Sequence, residues 1–190
     1  MRTMGKIIVT EFISLDGVID SPGGEYGYKH SGWSFEVDRG DAGNQFKVDE
    51  TMGSAAMLLG RVTYEGFAEA WPERDGEFAD KFNTMEKVVV STTLQDPTWA
   101  NTTVVRDLDA VRALKEGDGG PIGVHGSATL ARSLHRAGLV DQWNLQVFPV
   151  ILGSGKRLWA DDAEDKQKLT LRESRVYSSG VQLNVFDVVR

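Results

Sequence analysis

Leu58-Leu59-Gly60-Arg61-Val62-Thr63-Tyr64-Glu65 and Val124-His125-Gly126-Ser127-Ala128-Thr129-Leu130 are the two stretches that decide how this chain is built. In each, a short apolar run ends at a glycine, small or hydroxyl residues follow, and a helical pattern begins. Such a strand-to-helix junction directs unpaired backbone N–H groups at whatever lies above it, a geometry suited to phosphate. The same pattern also serves merely to turn the chain and cap a helix. Two junctions on one sheet point to a ligand with more than one phosphate.

Outward from the first junction, Val48, Met52, Ala55 and Ala56 fall near helical spacing, which predicts a helix from Gln45 to Ala56 and a short buried strand at Met57 to Leu59. Upstream, Asp20 to Asn44 is rich in glycine and aromatic residues without steady periodicity and reads as a long loop, of the kind that often carries function. It follows a first strand, Lys6 to Ser14, that ends at Leu15-Asp16-Gly17. Downstream, a helix through Tyr64 to Ala70 stops at Trp71-Pro72, because a residue before proline is pushed out of the helical region. Strands are expected at Lys87 to Val90 and Thr102 to Val105. Asp107 reads as the N-cap of a helix with Leu108, Val111 and Leu114 inward and Gly117 at its end.

Around the second junction, Pro121 to Val124 is the strand, and Leu130, Leu134 and Ala137 form one face of a helix closed by Gly138. Asp141 to Leu152 is long and apolar, which suits a strand in mid-sheet. Leu169 to Val176 and Val181 to Val188 flank Ser178-Ser179-Gly180 as a hairpin. The expected architecture is α/β: one domain over residues 1–190 with a mixed, mostly parallel sheet of about eight strands, helices on both faces, and a C-terminal antiparallel hairpin. The charged stretch Asp161 to Lys168 reads as a solvated connection.

Composition narrows the function. The 190 residues are 41% apolar and 26% charged, ordinary for a globular domain, and carry a net charge of -7. That charge argues against a nucleic-acid surface, so any phosphate site must be local. There is no cysteine, which removes disulfides, thiolate metal sites and cysteine nucleophiles. Met1-Arg2-Thr3-Met4-Gly5-Lys6 lacks the apolar core of a secretory signal, and no stretch approaches a membrane span, so a cytoplasmic protein is expected. His30, His125 and His135 are too scattered to hold a metal. Gly153-Ser154-Gly155-Lys156 has Val150 where a phosphate loop needs its first glycine. No Gly-x-Gly-x-x-Gly follows the first strand, and no Gly-x-Ser-x-Gly elbow is present. Candidate ligand groups are Gly60, Arg61 and Thr63 at the first junction, Gly126 and Ser127 at the second, and Ser91 and Thr92 after a strand on the same edge of the sheet.

Several motifs in order give the chain a resemblance to the dihydrofolate-reductase-like fold, and within it to the reductase (C-terminal) domain of the bifunctional riboflavin-biosynthesis deaminase/reductase. They are Ser14-Leu15-Asp16-Gly17, Leu59-Gly60-Arg61-x-Thr63-Tyr64-Glu65, Val90-Ser91-Thr92-Thr93-Leu94, Gly126-Ser127-x-x-Leu130, and Gly138-Leu139-Val140-Asp141 leading to Pro149-Val150-Ile151-Leu152-Gly153-x-Gly155. The resemblance implies a three-layer fold of the stand-alone, single-domain branch, a homodimer, and NADPH as cofactor. It implies that Gly60, Arg61 and Thr63 hold the adenosine-side phosphates and that Ser91 and Thr92 lie near the 2′-phosphoribose. Gly126, Ser127 and Thr129 would then meet the pyrophosphate, and Phe12 and Ile19 flank the nicotinamide.

The substrate side departs from the founding enzymes. Thr10 stands where they carry a lysine, and Glu65-Gly66-Phe67-Ala68-Glu69-Ala70-Trp71-Pro72 replaces their ribose-phosphate segment, which points away from that substrate. A proton donor is expected on the helix after the long loop, where spacing back from Arg61 reaches Asn44, with Asp41 nearby and Glu11 on the first strand as a further candidate. The sequence therefore leads to an NADPH-dependent reductase of a small heterocyclic, imine or carbonyl substrate. The rivals are a regulatory nucleotide-binding protein without turnover and a structural oligomerisation module.

Overall fold

The computed structural model describes residues 5–25, 27–117, 119–159 and 166–190; most of the charged stretch Asp161 to Lys168 and the first four residues lie outside them. Among the described residues, β1 (Ile7–Ser14), β2 (Ala56–Gly60), β3 (Glu86–Val90), β4 (Thr102–Val105), β5 (Ile122–His125) and β6 (Gln142–Phe148) run parallel. β7 (Leu169–Val176) and β8 (Gln182–Val188) add an antiparallel hairpin, in the order β4-β3-β2-β5-β1-β6-β8-β7. The helices are α1 (Gly40–Met52), α2 (Arg61–Ala70), α3 (Glu77–Thr84), α4 (Leu108–Glu116) and α5 (Ala128–Arg136). The expected α/β sheet with helices on both faces is therefore what forms. No helix among the described residues is long and apolar enough to cross a membrane.

Strand alternation divides the core. On one face Ile7, Val9 and Ile13 of β1 join Leu58, Val88, Val124, Trp143 and Leu145 beneath Val111 of α4 and Ala131 and Leu134 of α5. On the other, Met57, Leu59 and Val89 meet Tyr64 of α2, Phe82 of α3 and Trp99. A third cluster gathers Trp33, Phe148, Tyr177 and Leu183 at the β6–β8 side. Trp33 opens a short 3₁₀ turn, Trp33–Glu36, inside the stretch read as loop.

Several boundaries differ from the sequence reading. α1 starts at Gly40 and ends at Met52, so the last of the loop is helical and Ala56 belongs to β2. Its buried positions are Gly43 and Thr51 rather than the Val48 and Met52 stripe, because this helix covers polar groups and periodicity of apolar residues is blind to that. α3 occupies a stretch with no expected element. Its signal was short, Phe78 and Phe82 four residues apart, both in the aromatic cluster with Trp71. β6 stops at Phe148 instead of Leu152, where Pro149 removes a ladder donor. Asp107 caps α4 as expected, Oδ1 accepting from the Ala110 N–H at 3.0 Å.

Two acidic residues fix the sheet's ends. Asp141 accepts the Ile7 N–H at 2.8 Å, pairs with Lys115 of α4, and binds Arg190 at 2.8 Å, tying the starts of β1 and β6 together. Asp16 ties their exits: its carboxylate accepts the Ser14 hydroxyl at 2.6 Å and the N–H groups of Leu152 and Gly153 at 3.1 and 2.8 Å. Ser14-Leu15-Asp16-Gly17 is thus a structural clasp, and Gly153-Ser154-Gly155-Lys156 is the segment it holds.

Candidate functional site

The chain order places one crevice. β2 leads through α2 and α3 to β3 on one side, whereas β5 leads through α5 to β6 on the other, and α2 and α5 pack on opposite faces. β2 and β5 are neighbours in the sheet. Ligands of open α/β sheets bind where neighbouring connections diverge in this way, outside the carboxyl ends of the strands. The two glycine junctions stand on the two sides of that crevice.

They are joined directly. The Gly60 N–H donates to Ser127 Oγ at 2.9 Å. A Cβ on Gly60 would stand 3.4 Å from that hydroxyl, and one on Gly126 would stand 3.3 Å from Thr63 Cγ2. Gly126 and Ser127 are both left-handed, with φ of 57° and 61°, so the chain rises over the end of β5 before α5 begins. Neither α2, capped by Gly60, nor α5, capped by Ser127, has a side-chain hydrogen bond closing its N-terminus. First-turn donors of two helices are therefore left for a ligand, and the glycines remove the side chains that would block approach. This donor set fits a dinucleotide pyrophosphate.

The other expected cofactor residues lie on the same edge with different states of readiness. Gly60 pairs in register with Val90, which precedes Ser91. Ser91 Oγ is occupied by the N–H groups of Thr93 and Leu94, while Thr92 and Thr129 are exposed. Arg61 is half exposed and held bidentate by Glu65, 2.9 Å to each oxygen. Beside this junction is a cavity of about 370 Å³ bounded by Tyr64, Glu65, Glu69 and Asp96. Ile19 is buried in the main core and Phe12 is partly buried at the end of β1.

Below the crevice the sheet face under α1 is polar. Alternation turns Thr10 and Phe12 of β1, His125 of β5, and Asn144 and Gln146 of β6 to this face, all but Phe12 being buried. Lys47 of α1 donates to Thr10 Oγ1 and to Glu50 Oε2, both at 2.7 Å. The Asn144 amide donates to Glu50 Oε1 at 2.6 Å, and the Thr10 hydroxyl lies 2.9 Å from Oε2. Burial alone would raise the Glu50 carboxyl, but Lys47 and these bonds hold it below its ordinary range. The buried His125 imidazole is driven down to about 3, first by burial and then by Lys47, so it is neutral. Arg39 stacks 4.4 Å above the Phe12 ring and donates to Asn44 at 2.8 Å. A buried polar layer of this extent is costly unless its members satisfy one another, which most of these do.

Of the proton-donor candidates, Asp41 and Asn44 are exposed, and Asn44 serves Arg39. Glu11 is buried on the opposite face of β1. Burial lifts its carboxyl well above the usual range, opposed in part by Lys47. Sequence reasoning missed Arg39, Lys47, Asn144 and Gln146, and the adjacent carboxylates Asp49 and Glu50 read as solvated helix charges, whereas Glu50 is buried against Lys47 and Asn144. The alternating amides Gln142, Asn144 and Gln146 were the available signal, masked by the apolar residues between them, which make the stretch read as a uniformly apolar strand in mid-sheet.

The fold is of the dihydrofolate-reductase class. A dihydrofolate reductase from Enterococcus faecalis complexed with NADP(H) superposes over the whole of both chains with a TM-score of 0.65 at 13% identity. A candidate riboflavin biosynthesis protein from Shewanella sp. PV-4 matches with a TM-score of 0.76 at 18% identity, covering 97% of this chain and 99% of the other. In sequence, YyaP of Bacillus subtilis, an uncharacterized protein, is 28% identical over 185 residues, 93% of this chain and 91% of its own. Residues 5–183 match the RibD C-terminal domain family, and the chain belongs to it.

Proposed function

We propose that the chain is an NADPH-dependent reductase that binds its dinucleotide across the β2–β5 crevice and reduces a small heterocyclic, imine or carbonyl substrate. The observation that carries this reading is the pair of uncapped, glycine-cleared helix N-termini joined by the Gly60–Ser127 hydrogen bond. Gly60, Arg61 and Thr63 would hold the adenosine-side phosphates, with Ser91 and Thr92 by the 2′-phosphoribose. Gly126, Ser127 and Thr129 would meet the pyrophosphate, and Phe12 and Ile19 would flank the nicotinamide. Bound NADPH would supply the hydride; the chain's part is to orient the cofactor and exclude water around it. Cytoplasmic location and a homodimer belong to the same proposal. β7 at the sheet edge leaves Leu171 and Val176 exposed, and sedimentation of the purified chain tests the dimer.

Titration with NADPH and with NADH, followed by quenching of tryptophan fluorescence, tests the reading. Saturable binding that prefers NADPH and weakens in Arg61→Ala supports it; no binding of either nucleotide overturns it. One observation favours a regulatory nucleotide-binding protein instead: among the described residues, α1 turns Gly43 and Lys47 toward the sheet at its forward end and carries its carboxylates at exposed Asp41 and Asp49 and at Glu50, which is ion-paired with Lys47. Tight NADPH binding without oxidation across pterins, aminopyrimidines and carbonyl compounds is the result that would select it.

A further inference from the structure

Glu11 is anomalous in its surroundings. It shares a face of β1 with Ile7, Val9 and Ile13, is 4% exposed, and its Oε1 has no hydrogen-bond partner among the described residues. A buried polar group left unpaired costs stability, and an apolar side chain of similar size would avoid that cost.

Its position gives the anomaly a use. Thr10 is in register with His125, so Glu11 stands one step further on, level with Gly126, whose N–H faces the carboxyl. The Ser127 hydroxyl is already committed to Gly60, and the first turn of α5 has no side-chain cap. A carboxyl with one unpaired oxygen, the N–H of a left-handed glycine and an open helix terminus thus converge at the second junction, between β1 and β5. Burial favours the neutral form of the acid, in which it has a proton to donate as well as an oxygen to accept with.

We propose that Glu11 is a ligand-contacting residue whose buried carboxyl hydrogen-bonds the nicotinamide-side ribose phosphate of a dinucleotide seated on the second junction. The inference rests on the reductase reading and adds to it a contact from inside β1. Glu11 is retained at a cost in the free protein because its second oxygen is satisfied only in the complex.

The test compares Glu11→Leu and Glu11→Gln, with NADH as probe and AMP, which carries only the adenosine half, as control. Glu11→Leu should raise the Tm of the free protein while weakening NADH about tenfold, and leave AMP binding unchanged; Glu11→Gln should bind NADH within about twofold of the parent. A lowered Tm in Glu11→Leu, an unchanged NADH affinity, or equal weakening of NADH and AMP would overturn the inference and leave Glu11 a structural residue. Binding of neither NADPH nor NADH by the parent protein would refute the reductase reading itself and this contact with it. Binding by the parent that Glu11→Leu retains in full would refute the contact alone.

Discussion

Gly60 and Ser127, 67 residues apart, form a single unit: the glycine N–H donates to the serine hydroxyl at 2.9 Å across the crevice between β2 and β5. The two junctions are therefore set relative to one another before any ligand arrives. Such pre-organisation lowers the cost of gripping two phosphates at once.

Gly126→Ala tests this unit. The substitution must hold a φ of 57° and bring a Cβ to 3.3 Å from Thr63, so it is expected to destabilise the protein by about 1–2 kcal/mol. It should also weaken dinucleotide binding by displacing Thr63. Urea denaturation and nucleotide titration read the two effects separately.

Glu65→Gln should tighten NADPH and NADH binding several-fold, because it releases Arg61 from Glu65, which holds it through both carboxylate oxygens. The Arg61–Glu65 pair is half exposed, so stability should change by no more than about 0.5 kcal/mol. An unchanged affinity for both nucleotides would mean that Arg61 does not hold the adenosine-side phosphates.

Asp16 should carry part of the protein's acid sensitivity. Burial pulls its carboxyl upward, but the Ser14 hydroxyl and the N–H groups of Leu152 and Gly153 together outweigh this and hold it at about 2. The folded form thus binds the carboxylate's proton later than the unfolded chain does. Its contribution is complete above about pH 4 and is lost as pH falls toward 2. Asp16→Asn should be less stable than the parent at neutral pH, and the difference between the two denaturation midpoints should shrink across that window.

Lys87 is fully buried, and burial pulls its ammonium down to about 8. It donates to the carbonyls of Asn83, Met85 and Ala100 at 3.1, 2.8 and 2.9 Å and lies 4.3 Å over the Trp99 ring. Lys87→Met keeps the apolar stem but strips three carbonyls of a donor, and should cost about 1–3 kcal/mol. A neutral or stabilising result would show that those carbonyls find water.

The sheet was legible because its signals are local. Lys6 to Ser14, Lys87 to Val90 and the hairpin about Ser178-Ser179-Gly180 announce themselves by β-branched runs and turn residues, and each junction by a glycine set between a strand pattern and a helix pattern. α1 was misplaced and α3 unread for one reason: neither presents a long apolar stripe. α1 meets the sheet through Gly43, Lys47 and Glu50, and α3 is two turns anchored by Phe78 and Phe82. The polar layer was unreadable for a related reason, since Thr10, Lys47, Glu50 and Asn144 are distant in sequence and each alone has the composition of a solvated surface residue.

By itself, then, the sequence determined the α/β class, the two junctions and the family to which their order belongs, because turn chemistry and hydrophobic period are properties of neighbouring residues. Only the tertiary structure decided that Gly60 and Ser127 touch, that Asp16 and Asp141 clasp the two ends of β1 to β6, and that Glu11 is buried with an unpaired oxygen at the second junction. Those facts depend on which strands lie side by side, and strand neighbourhood is set by the long-range burial of two faces rather than by any local stretch of chain.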